Sequence, residues 1–365
     1  MLKLFAVHFS GFNTTLVAAA AFMLTSCSSP VRTVAPRTQL RVFDHFEDFE
    51  RTRHGNETVL LSPRLDTTPW NELIVSWNAD CPPGTTLKIE ARAFGENSAT
   101  RFYTIGLWSA APGEARTSLR HERDNDAAID TDTMICPREM SGAQVRFTLS
   151  GTNEIFPRLK FVAFSFLDPA RASETNEPNR RAWGKTLEVP ERSQLGHAGA
   201  SGWCSPTSLS MILAYWSQRL GRAELDVPVP EVARAVHDVT YGGTGNWAFN
   251  MAYAGSFERM RAYATRFDDL RQVENYIAAD IPIALSVSFD LLNGKEQDQN
   301  NGHLIVVVGF TETGDVVVND PWPNPRKENR VRKIFPRAQV VAAWQRSKQT
   351  VYLVFPEGTR VPASF

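Results

Sequence analysis

From about Phe43 to Leu167 the chain is a succession of short β-type runs, each ended by residues that turn the backbone. The runs are "ETVLLS", "ELIVSW", "TLKIEARAF", "RFYTIGLW", "QVRFTLSG" and "LKFVAFSF". In "TLKIEARAF", Leu87, Ile89, Ala91 and Ala93 share one face, and Val145, Phe147 and Leu149 do the same in "QVRFTLS". Between them lie "CPPGTT", "FGENSAT" and "SAAPGEAR", all turn chemistry. Strands at this spacing predict an all-β sandwich over residues 42–168. The polar stretch "DPARASETNEPNRRAWGK" lacks apolar periodicity and reads as a linker over 169–186. Beyond it the pattern changes. "SPTSLSMILAYWSQRLG" places Leu209, Ile212, Leu213 and Trp216 on one helical face, with Gly221 as a stop. "PVPEVARAVHDVTYGG" and "FDDLRQVENYIAADIP" read as a second and a third helix. The strands "IPIALSVSF", "GHLIVVVGF", "DVVVNDP" and "QTVYLVFP" follow, so a multidomain chain with an α+β domain over 187–360 is expected.

The first 26 residues are set apart from the fold. They hold one early lysine, a nine-residue apolar run from Leu16 to Leu24, and small residues before a cysteine, the size and flanks of a secretory signal. Their end, "LTSC", resembles the lipobox of bacterial lipoproteins, which implies a signal peptide over 1–26, lipidation of Cys27 and a membrane anchor through that lipid. Residues 27–41 would be a tether, and the protein an exported, envelope-located lipoprotein. The alternative is a plain secreted protein in which Cys27 is idle. With 39 basic and 40 acidic residues the net charge is −1, so nucleic acid is not expected as a partner. The chain has four cysteines, and an oxidising compartment tends to pair thiols. If Cys27 carries lipid, a disulfide between Cys81 and Cys136 would leave Cys204 alone.

Cys204 stands just ahead of an apolar helical face rather than in it. Pro206 fits the first helical turn, which puts Cys204 beside unsatisfied N–H groups and the positive end of the dipole. Both favour the thiolate, the reactive form. A thiolate nucleophile needs a base, and the base an orienting group. Of seven histidines, His8 lies in the signal, His45, His54 and His121 in the β region, and His237 in a helix. His197 competes by being close in sequence, but sits in a small-residue loop. His303 opens a Val-rich hairpin, "NGHLIVVVGFTETGDVVVNDPW", whose folding about Glu312 and Thr313 brings position 303 opposite about 322, near Asp320. A strand-edge histidine and a turn aspartate are the bland readings of these two. For an oxyanion, the Cys204 N–H is one donor and the Gln194 side chain a candidate for another. Neither CxxC nor HExxH occurs, "HERDND" lacks the spacing of a calcium loop, and the "GTG" at 243–245 lacks the lysine and strand of a phosphate loop. No metal or cofactor is expected.

The order Gln…Cys…His…Asp, together with "VPERSQ", "GWCSPTSLSMILAYW", "YGGTGNWAFNMAYAG", "NGHLIVVVGFT" and "VVVNDPW", resembles the C39-like domains within the papain-like cysteine peptidase fold. The resemblance runs from about Leu187 to Pro356. It implies a hydrolase with Cys204 as nucleophile, His303 as base, Asp320 as orienter and Gln194 in the oxyanion hole. Trp203, Asn246, Trp247 and Asn250 would line the cleft for a peptide or peptidoglycan-like substrate; a glycine-rich turn capped by a packing tryptophan is the alternative. Many members have "CGP" where this chain has "CSP", so Ser205 narrows the approach. Leader-peptide cleavage tied to a transporter does not carry over, since nothing here resembles a transporter. A transamidase using the same triad and a non-catalytic binding protein of the same fold are the rivals. In the β domain, Trp70, Trp77 and Trp108 could form a carbohydrate platform, although strand tryptophans are more often core.

Overall fold

The computed structural model describes residues 36–109, 116–119, 122–152, 154–299, 301–323 and 330–362. The expected signal, Cys27 and the tether up to residue 35 lie outside the described residues.

Ten strands make the N-terminal domain: β1 (Thr38–Phe43), β2 (Glu50–His54), β3 (Glu57–Leu61), β4 (Leu65–Asp80), β5 (Thr86–Phe94), β6 (Tyr103–Trp108), β7 (Thr117–Ser118), β8 (Ala128–Asp130), β9 (Thr133–Ser150) and β10 (Arg158–Leu167). All pair antiparallel, in the order β1-β10-β4-β9-β5-β6-β7, with β3 and β8 also attached to β9 and β2 paired to β3. Hydrogen bonding therefore runs through one connected sheet instead of two stacked ones. The cause is strand length. At 16 and 18 residues, β4 and β9 outlast any single neighbour. The first part of β9 pairs with β4 and β8, its last part with β5 and β3. Register breaks around Trp70 kink the β4–β9 ladder, as bulges do.

In this domain one sequence-based expectation fails and one open alternative is decided. Cys136 lies beside Asn71, whose amide donates to the Cys136 carbonyl at 3.1 Å, and its neighbour Ile135 pairs with Glu72. Cys81 lies beyond the far end of β4, roughly 30 Å further along at the rise of a strand. A disulfide needs Cα atoms within about 7 Å, so the two are not bridged. Of the two readings of the tryptophans, the core one holds and the carbohydrate platform does not: Trp70, Trp77 and Trp108 are wholly buried. Trp70 packs on Phe166, and Trp77 and Trp108 pack on each other and on Phe249 of the other domain. Tryptophans in strands carry too much apolar area to leave outside when a core is within reach.

The C-terminal domain follows the order α1 (Cys204–Leu220), α2 (Val229–Val236), α3 (Trp247–Ser256), β11 (Met260–Arg266), α4 (Leu270–Ala278), β12 (Ile283–Ser288), α5 (Phe289–Leu292), β13 (Gly302–Phe310), β14 (Val316–Asn319), β15 (Arg332–Phe335), α6 (Arg337–Gln345) and β16 (Thr350–Pro356). Its six strands form an antiparallel sheet in the order β11-β16-β12-β13-β14-β15. Helix α1 is buried from Ser205 to Ser217, not along one face only. Most of its hydroxyls find partners inside: Ser205 with the Tyr352 hydroxyl, Ser208 with the Leu304 carbonyl, and Ser210 with the Val227 carbonyl.

The segment expected as a linker is bound to this domain along its length. Asn176 donates to Asp269, the Asn179 N–H to Glu274, and the Trp183 indole to Glu274 at 2.8 Å. Thr186 then bridges to Gly309, where a Cβ would run into the Lys185 carbonyl, so only glycine admits the strap. The domains also share core. Ile74, Phe161 and Ala163 from the β domain belong to the C-terminal core, while Ala248, Phe249 and Ala252 of α3 belong to the N-terminal one. At the centre, the Asn78 amide donates to the Ala262 carbonyl at 2.7 Å and accepts from the Ala262 N–H at 3.0 Å. Gly255 approaches so near that a Cβ would overlap the Asn78 amide.

Asn78 is wholly buried, and replacing it by alanine leaves both Ala262 backbone groups unpaired at the domain junction. The Asn78→Ala variant is expected to lose about 2–4 kcal/mol of stability, measured by denaturant unfolding.

Candidate active site

Cys204 is the first residue of α1, with Trp203 as a cap that offers no side-chain hydrogen bond. The thiol therefore faces the open N–H end of a 17-residue helix. One turn later, Ser208 donates to the Leu304 carbonyl at 3.2 Å, which fixes α1 against the start of β13. The preceding residue of that strand is His303, and its ring reaches the Cys204 thiol in a hydrogen bond. The β13–β14 register pairs Val306 with Asn319 and delivers Asp320 to the same sheet end. His303 Nε2–H donates to Asp320 Oδ1 at 2.7 Å, leaving Nδ1 toward the sulfur. His303 and Asp320 are both buried.

The electrostatics follow from this chain. Burial by itself raises the Cys204 thiol, but the hydrogen bond and charge of His303, aided by the N–H groups of Leu304 and Ser205, hold it below its ordinary value. Burial disfavours the imidazolium, and the charge and hydrogen bond of Asp320, then those of Cys204, reverse this and raise His303 to about 9. Asp320 resists its own burial through His303 and then Lys333, and stays lowered. Both directions favour a thiolate beside an imidazolium. Phe289 stands edge-on to the His303 ring at 5.2 Å and to Trp322 at 6.0 Å, an aromatic cover over the imidazole.

The remaining expected site residues fall elsewhere. Gln194 is buried near Asp320, its N–H donating to the Pro321 carbonyl at 2.9 Å. Its amide nitrogen donates to the Ala200 and Ser201 carbonyls at 3.0 and 2.9 Å, so both donors hold the loop before Cys204 instead of waiting for an oxyanion. Asn246 and Asn250 are wholly buried and do not line a cleft. Asn246 caps α3 by accepting from the Phe249 N–H and donates to Asp238, while Asn250 donates to the Thr244 and Asn246 carbonyls. Trp203 and Trp247 are half-buried. The exposed His197 stacks on Trp203 with ring centres 6.1 Å apart.

Three contributors escaped the sequence. Lys333 of β15 donates to Asp320 Oδ2 at 2.6 Å. Thr244 donates to the Gly202 carbonyl at 3.0 Å and so ties the glycine-rich loop to the loop before Cys204. Asp132, from the turn between β8 and β9, accepts the Trp247 N–H at 2.6 Å and caps α3 from the other domain. Burial pushes its carboxyl up to about 7. Spacing along the chain carries no signal for any of the three; Asp238, which gathers N–H groups from Ser118, Tyr241 and Asn246, is equally silent.

Comparison with known proteins agrees with this division of the chain. Residues 186–352 match the Peptidase_C39 like family, and residues 26–166 match the Peptidase C39 N-terminal domain. The chain is thus built of an N-terminal domain and a C39-like domain, both rich in antiparallel sheet. Among solved structures, one similar chain is a protein from Bacillus anthracis assigned as a C39-like peptidase. It is 18% identical with a TM-score of 0.35, covering 47% of this chain and 96% of that one. Another is from the infectious bursal disease virus Gt strain, 10% identical with a TM-score of 0.24, covering 43% of this chain and 37% of that one. Curated proteins give no match.

Alkylation of Cys204 by iodoacetamide is expected to reach its plateau well below the free-thiol pKa of about 8.5. The His303→Ala variant is expected to return the midpoint to that value or above it, read from rates between pH 5 and 10.

Proposed function

We propose that the chain is an exported cysteine peptidase of papain-like plan that cleaves peptide or cell-envelope amide bonds. The observation that supports this most is the buried chain of contacts from Cys204 at a helix start, through His303, to Asp320. In this scheme the Cys204 sulfur attacks the amide carbon and a C–S bond forms as the carbonyl electrons move to oxygen. The Cys204 N–H at the helix start receives that oxyanion. His303 Nδ1–H then gives its proton to the leaving nitrogen, the C–N bond breaks, and an acyl-thioester remains. His303, now neutral, takes a proton from water, whose oxygen attacks the thioester; the thiolate leaves and the imidazolium is restored. Asp320 holds the ring in the tautomer this sequence needs. Gln194 joins the oxyanion only after substrate draws its amide off Ala200 or Ser201.

Export and anchoring belong to the same proposal. The signal-like residues 1–26 and the cysteine that ends "LTSC" support delivery to the envelope and a lipid on Cys27. A soluble hydrolase held at a membrane surface would meet peptides and wall amides without diffusing away.

Replacing Cys204 by alanine is expected to lower hydrolysis of a fluorogenic peptide mixture or of purified wall muropeptides by roughly 10³–10⁶-fold, with the fold retained by circular dichroism. Unchanged turnover would sink the proposal. Activity needs the imidazolium as acid, so it is expected to fall as pH rises through about 9, where His303 loses its proton. On the acid side it falls as the thiolate is protonated, below the ordinary thiol range. A Cys27→Ser variant is expected to leave the membrane fraction while keeping its peptidase rate.

A further inference from the structure

We propose that Lys333 is a positioning residue that moderates the pull of Asp320 on His303, so that the imidazolium can release its proton to the leaving group. The inference rests on the hydrolase reading of the same site and names a part that reading does not require.

The geometry is specific. Asp320 accepts three donors: His303 Nε2–H at 2.7 Å and the Trp322 N–H at 2.9 Å on Oδ1, and the Lys333 ammonium at 2.6 Å on Oδ2. The ammonium also donates to the Trp322 carbonyl at 3.0 Å, closing a ring through Asp320 and Trp322. Lys333 is delivered by the register of the last strand in the sheet, where β15 pairs Lys333 with Val318, two residues before Asp320. Its side chain is only 12% exposed, so this cation is withdrawn from solvent to stand on one carboxylate.

Two cations thus share one buried anion. An aspartate serving His303 alone would give its whole field to the imidazolium and hold the proton more tightly than a general acid can use. The second cation divides that field. A hydrogen-bond donor without charge would orient Asp320 equally well and would not divide it, which separates positioning by charge from positioning by contact. The other groups around the ring do not supply this charge. Cys204 of α1 is the anionic partner, and Phe289 of α5 presents an apolar edge. Asp290 of α5 is engaged by Lys295, the Gln299 N–H and Asn301. Arg332 of β15 turns to Asn319 and the Val189 carbonyl, with Glu191 beyond.

The test follows the His303 imidazole Cε1–H by NMR titration in the full chain, assigned by its loss in His303→Ala, alongside the alkaline limb of peptide hydrolysis. The Lys333→Gln variant keeps a donor to Asp320 but removes the charge. It is expected to raise the His303 ionisation and the alkaline limb together by roughly half a unit to one unit. The Lys333→Arg variant keeps the charge and is expected to stay within about 0.3 unit of wild type, which also settles the matter if the glutamine variant is poorly folded, since a shift in the arginine variant as large as one unit overturns the role of charge. In an Asp320→Asn background the Lys333→Gln substitution is expected to move nothing further. A raised wild-type His303 that ignores Lys333→Gln, or falls with it, overturns this inference alone. A wild-type His303 titrating near 6.5 beside an ordinary thiol overturns it together with the hydrolase reading.

Discussion

Helix α3 has no face for water, and the molecule is arranged around that fact. Seven of its ten residues are buried. Ala248, Phe249 and Ala252 point into the β domain, Met251 and Ala254 into the other core. A helix apolar all round is stable only inside something, and here two domains close on it from opposite sides. Phe249 is held between Trp77 and Trp108 at 6.0 and 5.3 Å, so the largest side chains of the N-terminal domain have their burial completed by the C-terminal one. The N-terminal end of α3 is fixed by polar contacts of matching origin: Asp132 from the β domain on the Trp247 N–H, and Asp238 on Asn246 and on the Ser118 N–H of β7. Since Thr244, just ahead of α3, holds the Gly202 carbonyl, the β domain reaches to within a few residues of Cys204 through one continuous set of contacts. That gives the N-terminal domain a structural share in the candidate site, independent of any ligand it binds.

Burying a thiol, an imidazole and a carboxylate together is costly unless each polar group is answered. The answer is sequential. Helix α1 and the Leu304 N–H face the sulfur, His303 joins sulfur to carboxylate, and Asp320 takes donors on both oxygens. Each step depends on an element whose placement is set by ordinary packing: α1 by the Ser208 contact to β13, β14 by its register against β13, and β15 by its register against β14. The chemistry is a by-product of sheet order, which is why the strands carrying it are adjacent in space and consecutive in the chain.

Much of this was legible because the signals were local. The Val-rich runs around "TETGD" specify a hairpin, a hairpin specifies a register, and the register sets which residues meet at its open end. Cys204 announced itself by standing ahead of an apolar face with proline two residues on. Helix α3 was invisible for the opposite reason: "WAFNMAYAGS" has no polar stripe, so its periodicity says nothing, and its Asn246 and Asn250 looked like cleft amides when they are a cap and a brace. Cys81 and Cys136 were paired on compartment and number alone, which do not know that β4 separates them. The tryptophans were legible as core, but not what covers Trp77 and Trp108, since that is a helix more than 130 residues away. Lys333 could not be read at all, because its meaning depends on a third strand joining the hairpin.

The two sides of Cys204 differ in how well their polar groups are satisfied. On the His303 side the structure pairs both carboxylate oxygens and the ring nitrogens. On the other side, among the described residues, Gln194 Oε1 and Asn250 Oδ1 are buried without a hydrogen-bond partner, and the Gln194 nitrogen is turned onto carbonyls of the loop it braces. An unpaired buried oxygen costs about 1–3 kcal/mol, and that cost is relieved by any arrangement that offers it a donor. The backbone between Gln194 and Cys204 includes Gly196 and Gly199, both with positive φ and both open to space where a Cβ would stand. Cys204, His303 and Asp320 are thus held firmly on one side. The loop on the other side is under-satisfied, its Gln194 oxygen buried without a donor ahead of two glycine turns and the start of α1.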